Sequence, residues 1–143
     1  MLKGIPSILT PELLKVLMEM GHGDELVLAD GNFPKFAHPA NVIRLDGHGI
    51  PEILDAILKF MPLDPYVEHP TIFMEVLPND PYKPEIWPVY REIGAKYEKD
   101  GLRELAINKF EFYERAKKAY AVVTTSEAAL YANVILKKGV VSE

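Results

Sequence analysis

Apolar residues recur along the chain at two spacings, and each spacing predicts one kind of element. The three- to four-residue spacing of a helix occurs in four segments that are separated by short polar stretches. Pro88 leaves the start of the third of these helices open, because proline removes an N–H that an earlier start would need. We predict helices over residues 10–20, 51–60, 86–97 and 108–119.

The ends of these helices carry recognisable signals. Thr10 can cap the first helix, and Pro11 is tolerated in its first turn, where the missing N–H has no partner. Asn108, followed three residues later by Glu111, resembles a capping box. We expect Gly21 to end the first helix, because glycine adopts a left-handed cap at little energetic cost.

Short apolar runs between the helices predict strands. They are bounded by Asp-Gly-Asn at 30–32, by a proline-rich loop at 78–84 and by a turn at 126–130. Strands and helices alternate almost throughout, which is typical of a single α/β domain, residues 1–143, layered around a largely parallel or mixed sheet. The predicted strands cover residues 26–29, 42–45, 71–77, 105–107, 120–124 and 134–136.

Composition narrows the classes of function. The net charge of −5 disfavours nucleic acid, which is bound by basic surfaces, and favours a small, weakly polar ligand. There is no cysteine, no apolar run long enough for a membrane span and no signal-peptide pattern at the start, so we expect a cytoplasmic protein with no membrane partner. Phosphate-loop, dinucleotide-binding, serine-hydrolase and zinc-binding motifs are absent, and we expect no cofactor and no metal.

Histidine 22 is the strongest candidate for acid–base chemistry. It lies between Gly21 and Gly23, just beyond a predicted helix end and beside Asp24 and Glu25. An uncrowded imidazole is suited to general catalysis, because histidine titrates close to neutral pH. The alternative interpretation is that His22 only caps carbonyls at the end of the helix.

Two further segments offer polar groups for a ligand. Asp30 ends an apolar strand, and ligand groups gather beyond the carboxyl ends of parallel strands; alternatively it forms an Asx turn. Tyr131 and Asn133 lie two residues apart, so their side chains share one side if the backbone is extended. A phenol and an amide suit sugar hydroxyls, and the alternative is a core tyrosine beside a turn asparagine.

Three separated blocks resemble one family. Residues 13–25 read LLKVLMEMGHGDE and are followed at 30–34 by DGNFP, residues 110–116 read FEFYERA, and residues 131–140 read YANVILKKGV. Their order and spacing are similar to those of the RbsD/FucU family of sugar mutarotases over nearly the whole chain, with 62–104 the least distinctive part.

The resemblance implies a fold, an assembly and a site. It implies an RbsD-like α/β fold in a ring-shaped homo-oligomer, typically a decamer of two stacked pentamers, and a reaction that needs neither metal nor cofactor. Lys109 stands where the fucose branch of the family has arginine and the ribose branch histidine, so the sugar stays open. The implied general acid is His22, and the implied sugar-binding residues are Asp30, Lys109, Tyr131 and Asn133, with the backbone of Ala132 lining the site.

We therefore expect an isomerase that interconverts the α and β anomers of a free aldose, with L-fucose the first candidate. The alternatives are a D-ribose pyranase and a non-catalytic sugar-binding protein. His22 precedes the first strand and Asp30 follows it, and an extended path would separate them by up to ~25 Å. Either the chain folds back at 22–25, or the site joins His22 of one subunit to Asp30 of another, which we favour.

Overall fold

Six strands form one mixed sheet at the centre of the computed structural model, which describes residues 1–142. The strand order across the sheet is β2-β5-β1-β6-β3-β4. The strands are β1 Glu25–Ala29, β2 Asn41–Leu45, β3 Thr71–Met74, β4 Glu104–Ile107, β5 Ala121–Thr125 and β6 Val134–Lys137. The helices are α1 Pro11–Glu19, α2 Ile50–Leu58, α3 Ile86–Tyr97 and α4 Lys109–Lys117, and a single 3₁₀ turn covers Lys35–Ala37.

Only β6 runs against the other strands. It pairs antiparallel with β1 and with β3, whereas β5 is parallel to β1 and β2, and β3 is parallel to β4. The carboxyl ends of the five parallel strands and the start of β6 therefore lie at one edge of the sheet, which we call the carboxyl edge. The mixed sheet expected from the sequence is confirmed.

Helices cover both faces of the sheet. Leu26 and Leu28 of β1 belong to the core beneath α1, α2 and α3, while Val27 and Ala29 belong to the core beneath α4. This alternation is the two-residue period of a strand that is buried on both faces. The result is a three-layer α/β sandwich. No helix within residues 1–142 is long and apolar enough to cross a membrane.

The predicted starts of the first, third and fourth helices are confirmed. Leu13 N–H donates to Thr10 Oγ1 at 3.2 Å, and Glu111 N–H donates to Asn108 Oδ1 at 3.0 Å. The third helix begins at Ile86, so Pro88 falls among the first four positions, whose N–H groups have no partner within the helix.

The predicted role of Gly21 is wrong. Helix α1 ends at Glu19, and its last carbonyls are bound by a lysine from the other end of the chain: Lys138 Nζ donates to Leu17 O at 2.7 Å and to Met20 O at 2.6 Å. Because a cation satisfies these carbonyls, no left-handed glycine is needed there. The left-handed glycine in this turn is Gly23, with φ of +87°.

Strand β3 is shorter than the predicted 71–77. It ends at Met74, and its last pair with β6 joins Phe73 to Val134. The chain before Val134 turns away at Tyr131, whose φ is +57°, so residues 75–77 have no strand to pair with on that side. The 3₁₀ turn at Lys35–Ala37 was also not predicted from the sequence.

Candidate functional site

A cavity of about 240 Å³ opens at the carboxyl edge of the sheet. Loops that follow β1 and β3 and the segment that precedes β6 form its walls. Its polar lining consists of Asp30, Asn32, Asp80, Tyr113, Tyr131 and Asn133. Its apolar lining consists of Phe33, Pro34, Met74 and Leu130.

Asp30 lines this cavity, and hydrogen bonds to its neighbours fix its position. Its N–H donates to Asn133 Oδ1 at 2.7 Å, and its Oδ1 accepts from Asn32 N–H at 2.9 Å. The second contact is an Asx turn, the alternative that the sequence leaves open, and it coexists with the position of Asp30 in the cavity. Burial raises the pKa of the Asp30 carboxyl; hydrogen bonds from Asn32 and Asn133 offset this in part, and the charge of Glu127 adds to it. The result is a carboxylate that is a stronger base than an exposed aspartate.

The hydroxyl of Tyr131 both donates and accepts a hydrogen bond within the protein. It donates to Asp80 Oδ2 at 2.6 Å, and Leu77 N–H donates to the Tyr131 hydroxyl oxygen at 3.4 Å. The hydrogen bond to Asp80 raises the pKa of Tyr131, so the hydroxyl stays protonated at neutral pH. The phenol oxygen can therefore accept a hydrogen bond from a ligand hydroxyl while its own proton remains hydrogen-bonded to Asp80.

Tyr131 and Asn133 both line the cavity, as expected, but the backbone conformation that brings them there differs from the predicted one. The shared side of the two side chains was expected from an extended backbone. Tyr131 instead has a left-handed backbone conformation, which few non-glycine residues adopt. Helix α3 holds this segment: Trp87 Nε1 donates to Tyr131 O at 2.8 Å, and Tyr90 Oη donates to Ala132 O at 2.7 Å. Ala132 is fully buried and turns its carbonyl to Tyr90, so it does not line the cavity of this subunit.

Lys109 lies at the same edge but outside the cavity. It is the first residue of α4, directly after β4, which is separated from β6 by β3. Its ammonium group lies 5.3 Å from the ring centroid of Phe110, an exposed side chain.

His22 lies at the opposite edge of the sheet, in the turn between α1 and β1. Strand β1 alone separates the two edges by roughly 13 Å at about 3.3 Å per residue. The fold-back alternative is therefore wrong: His22 and Asp30 of one subunit do not share a cavity. His22 does not cap α1 either, because Lys138 does so, and its Nε2 instead lies 3.0 Å from Asp64 Oδ1. The imidazole is about half exposed, at 48%.

Several residues of the cavity and of the surroundings of His22 were not predicted from the sequence. Asp80 and Asp64 come from proline-rich loops, where aspartate is usually a turn residue, and Trp87 and Tyr90 look like ordinary core aromatics. Tyr113 gave only a weak signal as a sugar contact; it lines the cavity, and burial, together with the nearby Asp30 charge, raises its pKa. Residues 1–142 contain no group of three or more histidine, aspartate or glutamate side chains placed to hold a metal ion.

Comparisons with known proteins agree over the full chain. A sequence model of the RbsD / FucU transport protein family matches residues 3–141. The chain is 53% identical over 147 aligned residues to the human fucose mutarotase, covering 99% of this chain and 95% of that protein.

Solved structures extend the likeness to three dimensions. The fucose mutarotase from Streptococcus pneumoniae, solved in complex with L-fucose, superposes with a TM-score of 0.93 at 52% identity, covering 99% of this chain and all of that one. RbsD of Bacillus subtilis, solved with D-ribose, has a TM-score of 0.67 at 26% identity, covering 94% and 95% of the two chains. The chain is thus more similar to the protein solved with fucose than to the one solved with ribose.

Proposed function

Because the chain belongs to the RbsD/FucU family, we propose that it is a mutarotase, an isomerase that interconverts the α and β anomers of L-fucose. The observation that carries the proposal is the full-length similarity, at 52% identity, to a fucose mutarotase solved with L-fucose. The cavity at the carboxyl edge supplies neutral and acidic groups of the kind that bind sugar hydroxyls.

The apolar wall of the cavity supports L-fucose over D-ribose. Phe33, Met74 and Leu130 line the cavity together with its polar residues. L-Fucose is a 6-deoxy sugar with a methyl group at C5, which D-ribose lacks. Burying a methyl group is worth roughly 0.8 kcal/mol, so this wall favours the deoxyhexose.

The reaction needs only proton transfer. Asp30 removes the proton of the C1 hydroxyl while the bond between C1 and the ring oxygen breaks, and His22 donates a proton to that oxygen. Rotation about C1–C2 presents the other face of the aldehyde, and closure returns both protons. The raised pKa of Asp30 suits it to the role of base.

The remaining residues orient the sugar. Tyr131 accepts from one sugar hydroxyl, and Asn133 bonds another with its amide. Lys109 reaches a third hydroxyl from the same edge. Ala132 acts indirectly in this subunit, since the hydrogen bond of its carbonyl to Tyr90 fixes the backbone between the two sugar-binding side chains.

We place the active site between subunits of a ring-shaped homodecamer. Asp30 and His22 lie at opposite edges of the sheet in one subunit, so a complete site takes Asp30 from one subunit and His22 from its neighbour. The imidazole is half exposed in the isolated chain, which leaves it available to that neighbour. A cytoplasmic location is part of the proposal, and cell fractionation tests it.

Saturation-transfer NMR between the α and β anomers tests the function, because it reports turnover without net product. We expect the protein to accelerate exchange of L-fucose strongly and of D-ribose weakly or not at all. Faster exchange of D-ribose would redirect the proposal to the ribose branch. Unchanged exchange for a panel of aldoses, with sugar binding retained, would contradict the proposal and favour a sugar-binding protein.

A further inference from the structure

The turn that carries Asp30 is held by the loop that follows β5. Gly31 N–H donates to Glu127 O at 2.8 Å, and Thr125 Oγ1 donates to Ala29 O at 2.7 Å. A Cβ atom at Gly31 would lie 3.3 Å from Glu127 O, so the turn and the loop pack in close contact. The residues on both sides of Asp30 are therefore fixed by this loop.

The side chain of Glu127 ties the same loop to α2. Its Oε1 accepts from the N–H of Ile50, the first residue of α2, at 3.0 Å, and its Oε2 accepts from Ala129 N–H at 3.1 Å. Gly49 precedes α2 and has no side chain to cap it, so Glu127 supplies an acceptor that this helix start needs. Both carboxylate oxygens of Glu127 thus bind backbone N–H groups, and the side chain anchors the loop to the helix.

Glu127 also adds a charge to the surroundings of Asp30, although it does not line the cavity. Burial is the main cause of the raised pKa of Asp30, and the negative charge of Glu127 adds to it. Three phenols near Asp30 have raised pKa values and are neutral near pH 7, and the one further acid accepts a hydrogen bond from a phenol. These other titratable groups are Tyr90 of α3, Tyr113 of α4, Tyr131 before β6 and Asp80 after β3.

From this geometry we infer that Glu127 is a positioning residue of the reaction, which holds the turn of Asp30 against the start of α2 and keeps a negative charge near that carboxylate. The inference rests on the proposed function and adds to it a residue outside the cavity. Glu127 does not touch the sugar; it acts through Asp30. A fixed turn keeps the carboxylate at the sugar hydroxyl, and a nearby negative charge makes it a stronger base.

The Glu127→Gln variant removes the charge and keeps one oxygen for Ile50 N–H. The pKa of Asp30 then falls, so the low-pH limb of kcat/KM, which reports the base of the free enzyme, should move to lower pH. We expect kcat to fall roughly 10-fold with little change in KM, and no further loss when Glu127→Gln is added to Asp30→Asn. Glu52→Gln, which removes an exposed carboxylate from the first turn of the same helix, is the control and should keep the wild-type kcat and limb.

The Glu127→Asp variant separates the anchoring contact from the charge. It keeps the charge, but its side chain is one methylene shorter and cannot reach Ile50 N–H unless the loop moves. We expect a reduced kcat with the low-pH limb at its wild-type position. An unchanged kcat in this variant overturns the inference even if Glu127→Gln does not fold.

Thermal unfolding tests the coupling of the two carboxylates without reference to activity. Asp30→Asn relieves their repulsion only where Glu127 is present, so at neutral pH the gain in Tm should be larger in the wild-type background than in Glu127→Gln. At about pH 3, where the charge of acidic side chains is largely lost, the two gains should be equal. Equal gains at neutral pH, or a reduced kcat in Glu127→Gln with an unmoved limb, leave Glu127 a structural role alone and overturn the inference. A wild type that exchanges no sugar refutes the proposed function, while the unfolding experiment still decides the coupling.

Discussion

At the scale of single residues, the pKa values of three aspartates differ because their surroundings differ. Asp30 is buried against Asn133 with a raised pKa, whereas Asp80 and Asp64 each accept hydrogen bonds from specific donors and have lowered pKa values. The first is suited to take a proton, and the other two are suited to hold a neighbouring group in place. Three aspartates in one small domain are thus suited to two different tasks.

Sequence reasoning found some of these residues and missed others for a physical reason. His22 and Asp30 were identified from their residue types and from their positions at element ends. Asp64 lies 42 residues from His22, and Asp80 lies 51 residues from Tyr131. Such pairs form only when the sheet brings distant loops together, and neither loop carries a motif that indicates a partner.

The raised pKa of Asp30 predicts that its ionised carboxylate lowers the stability of the protein while it serves the proposed reaction. In the native state its carboxyl ionises at a higher pH than in the unfolded chain, so the ionised group lowers stability above the unfolded-state pKa and has no effect at a pH below both values. We expect Asp30→Asn to lose activity by about 10²–10⁴-fold while its Tm at neutral pH equals or exceeds that of the wild type. Thermal unfolding at neutral pH and at pH about 3 measures both. A variant with lower Tm at neutral pH would contradict the assignment.

At the scale of elements, local signals explain most of the helices and strands. All four helices and all six strands were predicted, because their apolar spacing and their caps at Thr10 and Asn108 are local properties. The predicted ends of α1 and β3 are wrong, because groups that are distant in sequence determine where these elements end. Lys138 binds the carbonyls of α1, and the left-handed Tyr131 removes the pairing partner of residues 75–77.

Helix α3 supports the site through one buried hydrogen bond, which Tyr90→Phe removes. The change leaves the buried carbonyl of Ala132 without its donor, so we expect a loss of about 1–3 kcal/mol in the free energy of unfolding. Loosening the backbone beside Tyr131 should also raise KM for L-fucose. Urea denaturation and anomer-exchange kinetics measure the two effects. Tyr66→Phe, at an exposed ring beside His22, is the control for stability only; equal stability of the two variants would argue against a supporting role for α3.

At the scale of the whole molecule, the proposed mechanism requires an assembly, because its two reacting groups lie at opposite edges of the sheet. The strand order of the sheet and the reversal of β6 follow from tertiary pairing that no local pattern fixes. Strand β1 runs between the two groups, with His22 before its start and Asp30 after its end. A site that joins them needs a second copy, whereas a pocket within one subunit would hold only the base.

The assembly itself has a simple expected signature. A homodecamer has a mass of about 161 kDa, ten times the 16.1 kDa of one chain. Sedimentation should show this species, and dilution that dissociates it should abolish exchange activity. A monomer that retains full activity would refute the interface site.

Mixing two inactive variants tests most directly whether catalysis joins His22 of one subunit to Asp30 of another. His22→Gln and Asp30→Asn subunits are unfolded together, mixed in equal amounts and refolded, and L-fucose exchange is measured. Random assembly gives each neighbouring pair an intact Asp30 and an intact His22 about a quarter of the time, so the account predicts recovery of about a quarter of the wild-type rate. Mixed assemblies that form but stay as inactive as either variant alone would contradict it.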